Sequence, residues 1–471
     1  MDVHEDDRDG SSSFGLADVL AIVTVVWYAA VWSISVLGCV TGRKRYRLRP
    51  RSPLSSAEPS RVPGVSIIRP LKGLDTNLFE NLESTFTQDY PNFEVLLCVA
   101  DAEDQALSVV RSLIEKYPHV DARAVVGEEV VGVNPKVNNL MRAYKEAKND
   151  ILWVLDSNVF VESGVCARSV DALLGPNTTP NQPPSSKRRI GLVHHVPFAF
   201  GSEKGWGSRV DEAFLNTNHA KMYMAINAVA LESCVVGKSN MFRRTDIERL
   251  HGNRGKPTPH PASDSVTETG LASFGRYLAE DNMIGEALWH ELGLRHELSC
   301  DVAGNVIGNV PLSGYIERRV RWIRVRKRMV MAATIVEPFQ ECIMLSIVAS
   351  WSLQHLFGIP AWLVLLIHYP AWIWVDLDVY ESLAGHPLPS ERRLDFFMAW
   401  GVRELLAFPI WLSGIFGEEV HWRGRKYRML NNGEVELVED SAPRSHWSNI
   451  LPGRRRKHGY SALNQNDDSG S

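Results

Sequence analysis

Three aspartates stand at positions where an α/β domain binds ligands. Asp101 closes the apolar run EVLLCVAD, Asp156 closes the run in DILWVLDSN, and Asp281 lies in YLAEDNMIG at the expected start of a helix. Parallel α/β sheets bind ligands outside the carboxyl ends of their strands, where the first two side chains would lie. A single aspartate at such a position is more often a turn or capping residue, whereas three in one domain favour a ligand-binding site.

A row of cationic side chains precedes the last apolar part of the chain, in RRVRW at residues 318–322. The forked guanidinium group of arginine matches phosphate oxygens, and tryptophan offers a stacking face. The alternative is a juxtamembrane basic patch that contacts anionic lipid. Lys136, near the expected start of another helix, is placed to meet a diphosphate, which helix amides and the helix dipole also attract. Otherwise it is a solvated helix lysine.

The region that must position these side chains, about residues 63–327, alternates β-rich runs with helical patterns. This alternation indicates an α/β domain with a mixed, mostly parallel sheet. Asn134 is expected to cap a helix with Pro135 at its first position, and Asp75 to cap a helix over residues 77–86. Two loop-like insertions, 175–189 and 251–270, are assigned no chemistry. The predicted strands are 65–70, 93–101, 123–127, 151–156 and 190–197.

The N-terminal apolar segment, residues 19–42, contains no acidic or basic side chain, and about 20 apolar residues suffice to cross a bilayer as a helix. The residues before it are acidic and residues 43–51 are strongly basic. The positive-inside tendency therefore places the tail 1–18 outside the cytosol and the following domain inside it. A cleaved signal peptide would need a basic start, a shorter apolar core and a small-residue cleavage site. The segment lacks these features and is predicted to be a retained anchor.

The C-terminal region 329–417 is predicted to hold about three further membrane segments: 329–357, 360–375 and 396–417. The third contains Arg403 and Glu404, so it either lies in the membrane interface or turns this pair inward. Three crossings would place the tail, residues 418–471, outside the cytosol, yet its basic residues favour the cytosolic side. One segment would then be re-entrant or interfacial, and the sequence leaves the choice open.

Composition excludes several classes of protein. The 471 residues are 45 % hydrophobic and 23 % charged, as in an ordinary folded protein and unlike a disordered or collagenous chain. The net charge of −4 gives no indication of nucleic-acid binding. The six cysteines form no CxxC pair, which disfavours a disulfide framework or a zinc ribbon and fits a reducing compartment.

The order Asp101, Asp156, Asp281 and Arg318-x-x-Arg321-Trp322 resembles that of membrane glycosyltransferases whose signature ends in Q/R-x-x-R-W. Four local sequence segments are similar to those of the ceramide glucosyltransferases: RPLKGLDTNLFENLESTFTQDYPNFEVLLCVAD, GVNPKVNNL, IGLVHHVP and AEDNMIG. The resemblance covers about residues 63–322 and continues through the apolar segments to WRGRKYR. Both insertions lie between motifs.

This resemblance implies a GT-A-like domain that transfers glucose from UDP-glucose to the primary hydroxyl of ceramide, with inversion at the anomeric carbon. Carried over by motif, Asp101 would hold the uridine part of UDP, and Asp156 a divalent metal, Mg²⁺ or Mn²⁺, on the diphosphate. The text reads DSN at residues 156–158 rather than Asp-x-Asp, so the metal would rest on one carboxylate. Asp281 would be the general base, with the adjacent Glu280 as its competitor.

The same resemblance places Arg318, Arg321 and Trp322 around the diphosphate and the acceptor entrance, and Lys136 near the phosphates. His219, in NTNHAKMY, matches a histidine of the family and would line the acceptor site, although an isolated histidine is more often structural. The partners implied are UDP-glucose, ceramide and the lipid bilayer, because ceramide is nearly insoluble in water. The compartment implied is the Golgi or endoplasmic reticulum membrane, with the catalytic domain facing the cytosol.

Two other functions remain alternatives. A synthase of a polysaccharide or of another glycolipid shares these motifs, but extruding a polymer needs more membrane helices than three C-terminal segments supply. A scaffold that binds nucleotide sugar or lipid without catalysis is disfavoured, because every acidic motif position is occupied. Glucose and galactose differ at one carbon, so the sequence does not separate these two donors.

Overall fold

The computed structural model describes residues 15–175, 188–202, 205–252, 269–422 and 425–438. The acidic N-terminal residues, most of both insertions and the basic tail beyond residue 438 lie outside these ranges. The predictions made for those segments therefore stay predictions.

The central sheet is mixed. Its strands are β1 Val65–Leu71, β2 Phe93–Val99, β3 Asp121–Val126, β4 Ile151–Leu155, β5 Val159–Phe160, β6 Ile190–Ser202, β7 Ser239–Arg243 and β8 Arg295–Gly308. They lie in the order β3-β2-β1-β4-β7-β6-β8-β5. The pairs β1–β2, β1–β4, β2–β3 and β6–β8 are parallel, whereas β4–β7, β6–β7 and β5–β8 are antiparallel. The predicted mixed, mostly parallel sheet is confirmed.

Helices cover both faces of this sheet, and this explains why its central strands are almost continuously apolar. The helices of the chain are α1 Leu16–Tyr46, α2 Leu78–Phe86, α3 Ala106–Lys116, α4 Pro135–Glu146, α5 Val165–Leu174, α6 Trp206–Phe214, α7 Ala220–Val229, α8 Arg244–Ile247, α9 Glu280–His290, α10 Leu312–Met329, α11 Met331–Val336, α12 Cys342–Phe357, α13 Ala361–Ala384 and α14 Arg393–Ile415. Ile67 and Val95 pack with α2, α3 and α5, whereas Ile68 and Leu96 pack with α4 and α9. The alternation of side chains along each strand produces these two cores.

The first four predicted strands are confirmed to within two residues at each end, and β6 continues to Ser202 instead of ending at residue 197. The Asn134 cap is also confirmed, because its Oδ1 accepts a 2.8 Å hydrogen bond from the Lys136 amide. The Asp75 cap is wrong. Asn77 occupies the capping position of α2 without a side-chain bond, and the Asp75 carboxylate instead accepts a hydrogen bond from Ser157 Oγ.

The N-terminal helix α1 is long and apolar enough to cross a membrane, and it also packs closely on α7. Gly38 lies against the backbone of Lys221, where an added Cβ would come within 2.1 Å of the carbonyl oxygen. At the cytosolic end predicted for α1, Arg45 donates hydrogen bonds to Glu297 and to the Leu298 carbonyl of β8. Helix α1 and the central domain therefore share a close interface.

The C-terminal apolar region differs from its prediction in one respect. The single helix predicted over 329–357 is wrong, because Pro338 cannot donate a helix hydrogen bond and Glu341 is extended. The chain there forms α11, the 3-10 turn Glu337–Gln340 and α12, with a bend of 78°. By length and apolar composition, α13 is a candidate membrane-spanning helix. The bent pair of α11 and α12 is a further candidate if the two helices are counted together as one span. In α14, Arg403 and Glu404 are buried and paired with each other, so this pair is turned inward.

A small sheet follows α14 and packs on the central domain. It comprises β9 Glu419–Trp422, β10 Arg425–Met429 and β11 Val435–Leu437. Its core residues Val420 and Tyr427 pack with Val133 and Leu278 of the central domain, and Arg324 of α10 donates a 2.6 Å hydrogen bond to the Glu419 carbonyl. Residues on both sides of the apolar region thus adjoin each other.

Candidate active site

Lys136 joins two elements at the carboxyl edge of the sheet. Its Nζ lies 2.9 Å from Asp156 Oδ1, directly after β4, and 2.9 Å from Glu280 Oε1, at the start of α9. Asn134 fixes the same arrangement, because its Nδ2 donates a 2.9 Å hydrogen bond to Glu280 Oε2. Burial disfavours the charged lysine, but the carboxylates of Asp156 and Glu280 outweigh it and raise the pKa of Lys136. The side chain therefore carries a fixed positive charge.

Asp156 is held between two ammonium groups. Its Oδ2 lies 3.1 Å from Lys238 Nζ, which also donates a 2.9 Å hydrogen bond to Asn158 Oδ1. Burial alone would raise the pKa of Asp156, but Lys136 and Lys238 outweigh it and hold that pKa well below its usual range. Asp156 is therefore ionised near neutral pH.

Asp281 has the opposite electrostatics. Its carboxyl lies against Gly237, where an added Cβ would come within 2.5 Å of Oδ2. Burial, followed by the negative charge of Glu280, raises the pKa of Asp281 to about 7, although Lys136 acts in the opposite direction. A carboxyl group with a pKa near the working pH is suited to accept a proton. Both oxygens of Glu280 already accept bonds from Asn134 and Lys136, so the geometry favours Asp281 over Glu280 as the base.

Asp101 lies apart from this cluster. It follows β2, whose carboxyl end is at the same edge as that of β4, because both strands run parallel to β1. The side chain is exposed, and its Oδ1 accepts a 3.0 Å hydrogen bond from the Glu103 amide. Within the described part of the chain, no hydrogen bond or ion pair joins Asp101 to the Lys136 cluster.

The arginine-rich helix α10 approaches the site through α6. Arg318 forms a 2.6 Å ion pair with Asp211 and lies over the ring of Trp322, 5.0 Å from its centroid. Burial raises the pKa of Asp211, and Arg318, Arg319 and then Lys238 act to lower it. Arg321 is half-buried on α10.

His219 ends a π-helical turn, Leu215–His219, between α6 and α7. Such turns are frequent at functional sites. Its ring stacks on Tyr223 at 5.7 Å and lies 6.4 Å from the ring of Trp322. Burial, then the charge of Arg319, lowers the pKa of His219 to about 3, so the imidazole is neutral near pH 7. The buried Nδ1 has no hydrogen-bond partner.

The sequence predictions missed Lys238, Gly237 and Asp211. Lys238 faces Asp156 because β4 and β7 pair with Leu155 opposite Ser239, and the Asp156 amide donates a 3.1 Å hydrogen bond to the Lys238 carbonyl. Nothing local in Gly-Lys-Ser reveals such a long-range antiparallel pairing.

A metal could be held here only with help from the substrate. The described residues contain no group of three or more His, Cys, Asp or Glu side chains that could hold an ion. Mg²⁺ sites in nucleotide enzymes often use one or two carboxylates and complete the shell with water and phosphate oxygens. Asp156 is ionised and its side chain is 25 % exposed, so it could be the single protein ligand of such a shared site through a lone pair left on an oxygen that already pairs with Lys136 or Lys238.

A mixed α/β sheet that collects carboxylates and lysines at one edge and is joined to apolar helices is the arrangement that the resemblance to membrane glycosyltransferases implied. The family model described as "Glycosyl transferase family 21" matches residues 25–255 and 265–435. The chain belongs to this family.

Curated relatives agree with this assignment. A ceramide glucosyltransferase of Komagataella phaffii is 37 % identical over 87 % of this chain and 90 % of its own. Ceramide glucosyltransferase 3 of Caenorhabditis elegans is 30 % identical over 89 % of this chain and 83 % of its own. Among solved structures, the mannosyltransferase PcManGT of Pyrobaculum calidifontis, in complex with GDP-Man and Mn²⁺, is 20 % identical with a TM-score of 0.41. The match covers 85 % of this chain and 99 % of that one.

Proposed function

We propose that this protein transfers glucose from UDP-glucose to the primary hydroxyl of ceramide, inverting the anomeric centre. Membership of glycosyl transferase family 21 and the ceramide glucosyltransferase relatives support this proposal. The observation that carries it is the contrast at one edge of the sheet: Asp156 is ionised between two lysines, while the half-buried Asp281 carboxyl packs against Gly237 and has a raised pKa.

In the proposed reaction, Asp281 accepts the proton of the ceramide hydroxyl as its oxygen attacks the anomeric carbon. The bond from that carbon to the new oxygen forms on one face of the sugar, while the bond to the diphosphate oxygen breaks on the other. The electron pair of the broken bond leaves with UDP, and Lys136 and Lys238 place positive charge beside it. A divalent metal on Asp156, Mg²⁺ or Mn²⁺, would supply further charge neutralisation for the departing diphosphate.

The remaining roles follow the resemblance. Asp101 is proposed to bind the uridine part of UDP, which fits its exposed position at the carboxyl edge of β2. Arg318, Arg321 and Trp322 are proposed to close on the diphosphate and the acceptor entrance. His219, neutral and ring-stacked beside Trp322, is proposed to line the acceptor site.

We also propose that the domain 63–327 faces the cytosol from a Golgi or endoplasmic reticulum membrane, with the tail 1–18 outside and 19–42 as the anchor. The basic last turn of α1 supports this orientation. The small sheet after α14 adjoins the catalytic domain, which supports a position of the start of the tail 418–471 on the same side. The region 329–417 then crosses an even number of times.

The proposal predicts a specific product. Purified protein, incubated with ceramide, should convert labelled UDP-glucose, but not labelled UDP-galactose, into a labelled glycolipid that extracts into organic solvent. A chelator should lower the rate at least tenfold, and added Mg²⁺ or Mn²⁺ should restore it. An insoluble polymer would instead support the polysaccharide synthase, and UDP-glucose binding without any glycolipid product would support the inactive scaffold.

The raised pKa of Asp281 predicts a pH profile. Below about pH 7 the carboxyl is protonated and cannot accept the ceramide proton, so kcat/KM should fall about tenfold per pH unit on the acid side. The measurement is kcat/KM from pH 5 to 8, with UDP-glucose binding followed over the same range as the control. A flat profile between pH 5 and 7 would contradict a base with this pKa.

A further inference from the structure

The segment 233–238, between α7 and β7, lies along the first turns of α9. Gly285 of α9 packs against the side chain of Val235, because an added Cβ would come within 2.7 Å of the Val235 Cγ2 atom. About one turn earlier in α9, the Asp281 carboxyl lies against Gly237. The segment is neither helix nor strand, so its position against the proposed base depends on bonds from other elements.

Tyr223 of α7 supplies one of these bonds. Its hydroxyl oxygen accepts a 3.0 Å hydrogen bond from the amide of Val236, which lies between the two residues that pack on α9. Tyr223 is 3 % exposed, and burial raises its pKa well above the usual value, so the hydroxyl is neutral. An amide in such partly buried surroundings is unfavourable when it has no acceptor, and this bond therefore holds Val236 in place.

Two further contacts fix the orientation of the Tyr223 side chain. His194 of β6 is fully buried, and its Nδ1 pairs with the same hydroxyl. The His219 imidazole stacks on the Tyr223 ring, with an angle of 17° between the two planes. The hydroxyl is therefore held by the central sheet, while the ring is held by the π-helical turn. Rotation of the side chain would break both contacts.

Other bonds of the segment 233–238 come from the charged cluster. The Gly237 carbonyl accepts a 3.4 Å hydrogen bond from Lys136 Nζ, and the Lys238 carbonyl accepts a 3.1 Å hydrogen bond from the Asp156 amide. These bonds join the segment to residues on the diphosphate side of the proposed site. The bond to Tyr223 instead joins it to α7, on the acceptor side.

We propose that Tyr223 is a positioning residue for glucosyl transfer, because its hydroxyl holds the Val236 amide and thereby keeps Gly237 against the Asp281 carboxyl. This inference rests on the proposed function, in which Asp281 is the base. Tyr223 does not touch the reacting atoms. Without its hydroxyl, the segment can draw back from Asp281, and water can then reach the carboxyl.

Tyr223→Phe removes the hydroxyl and keeps the ring. We expect kcat to fall about tenfold, the effect of one lost hydrogen bond on the placement of the base, while the KM for UDP-glucose stays unchanged. Burial is the main cause of the raised pKa of Asp281, so hydration should move the acid limb of kcat/KM to lower pH by about 0.5 unit or more. The charges of Glu280, Lys136 and Asp156, which also act on this carboxyl, are kept in the variant. A merely structural defect would reduce the amount of active protein and leave the acid limb in place.

Tyr90→Phe is the matched control. Tyr90 is 4 % exposed, and its hydroxyl donates a 2.5 Å hydrogen bond to the carbonyl of Pro63, which lies before β1 at the opposite edge of the sheet. This variant should keep the wild-type kcat and the wild-type acid limb. A wild-type kcat and acid limb in Tyr223→Phe, or an equal shift of the limb in Tyr90→Phe, would overturn the inference.

Hydrogen–deuterium exchange, resolved to single residues by fragmentation, tests the bond itself. The Val236 amide should be protected in the wild-type protein and should exchange about tenfold faster in Tyr223→Phe. If Tyr223→Phe fails to bind UDP-glucose, the wild-type protein still decides, because exchange of this amide at the rate of an unstructured peptide overturns the inference and protection supports it. Failure of the wild-type protein to glucosylate ceramide is a separate result that defeats the proposed function.

Discussion

Replacing Asp281 with asparagine should lower kcat for glucose transfer by about 10³-fold, while UDP-glucose still binds. The substitution keeps the size of the side chain but removes the oxygen that accepts the ceramide proton. It also removes a carboxyl that burial and Glu280 disfavour as an ion, so the fold should not be weakened. Steady-state kcat and the Kd for UDP-glucose measure the two parts of this expectation.

Glu280→Gln is the matched control for this variant. Glu280 bonds to Asn134 and Lys136 and so positions the site, which predicts a loss of about tenfold rather than 10³-fold. Unchanged turnover in Asp281→Asn, or equal losses in both variants, would refute Asp281 as the base.

Gly237→Ala should lower kcat about 100-fold through geometry alone. An added Cβ at this position would lie 2.5 Å from Asp281 Oδ2 and 2.8 Å from its Cβ and Cγ, so the carboxyl must move. Displacing a catalytic group by about 1 Å is enough for a loss of this size. Single-turnover rates at saturating UDP-glucose isolate the effect on the chemical step.

Gly401 provides the comparison, because a Cβ there would meet no atom within 4 Å. Gly401→Ala should therefore keep wild-type activity, to within about twofold. Retention of more than a third of wild-type kcat in Gly237→Ala would contradict the close placement of Asp281 against this backbone.

Local sequence patterns predicted much of the candidate site. Asn134 and Pro135 predict the start of α4 and so the position of Lys136, and the apolar run before Asp156 predicts the end of β4. Lys238 could not be found in this way, since its place depends on antiparallel pairing between strands that are distant in the chain. For Asp101 the local pattern, an aspartate at the end of an apolar strand, was clear. In the structure, however, its side chain is exposed and lies apart from the Lys136 cluster.

The apolar region shows a similar division. Hydropathy located the segments, but a hydropathy average is insensitive to one proline, and Pro338 lies where the predicted helix 329–357 breaks. Charge alone did not show on which side of the membrane the chain after α14 lies. Tyr427 packs against the central domain, so the chain after α14 lies next to α10. Such long-range contacts depend on the whole fold and cannot be predicted from local charge.

The close approach of Gly38 to the Lys221 carbonyl bears on how this enzyme can be handled. Lys221 is fully buried, and Val31, Cys39 and Tyr46 of α1 are buried as well. Truncation before residue 47 would remove α1 from the catalytic domain and expose apolar surface on α7. A fragment truncated in this way should therefore aggregate when it is purified without detergent. Expression designs, inhibitor screens and reconstitution should therefore keep the first helix in place, as a structural part of the enzyme and more than a tether.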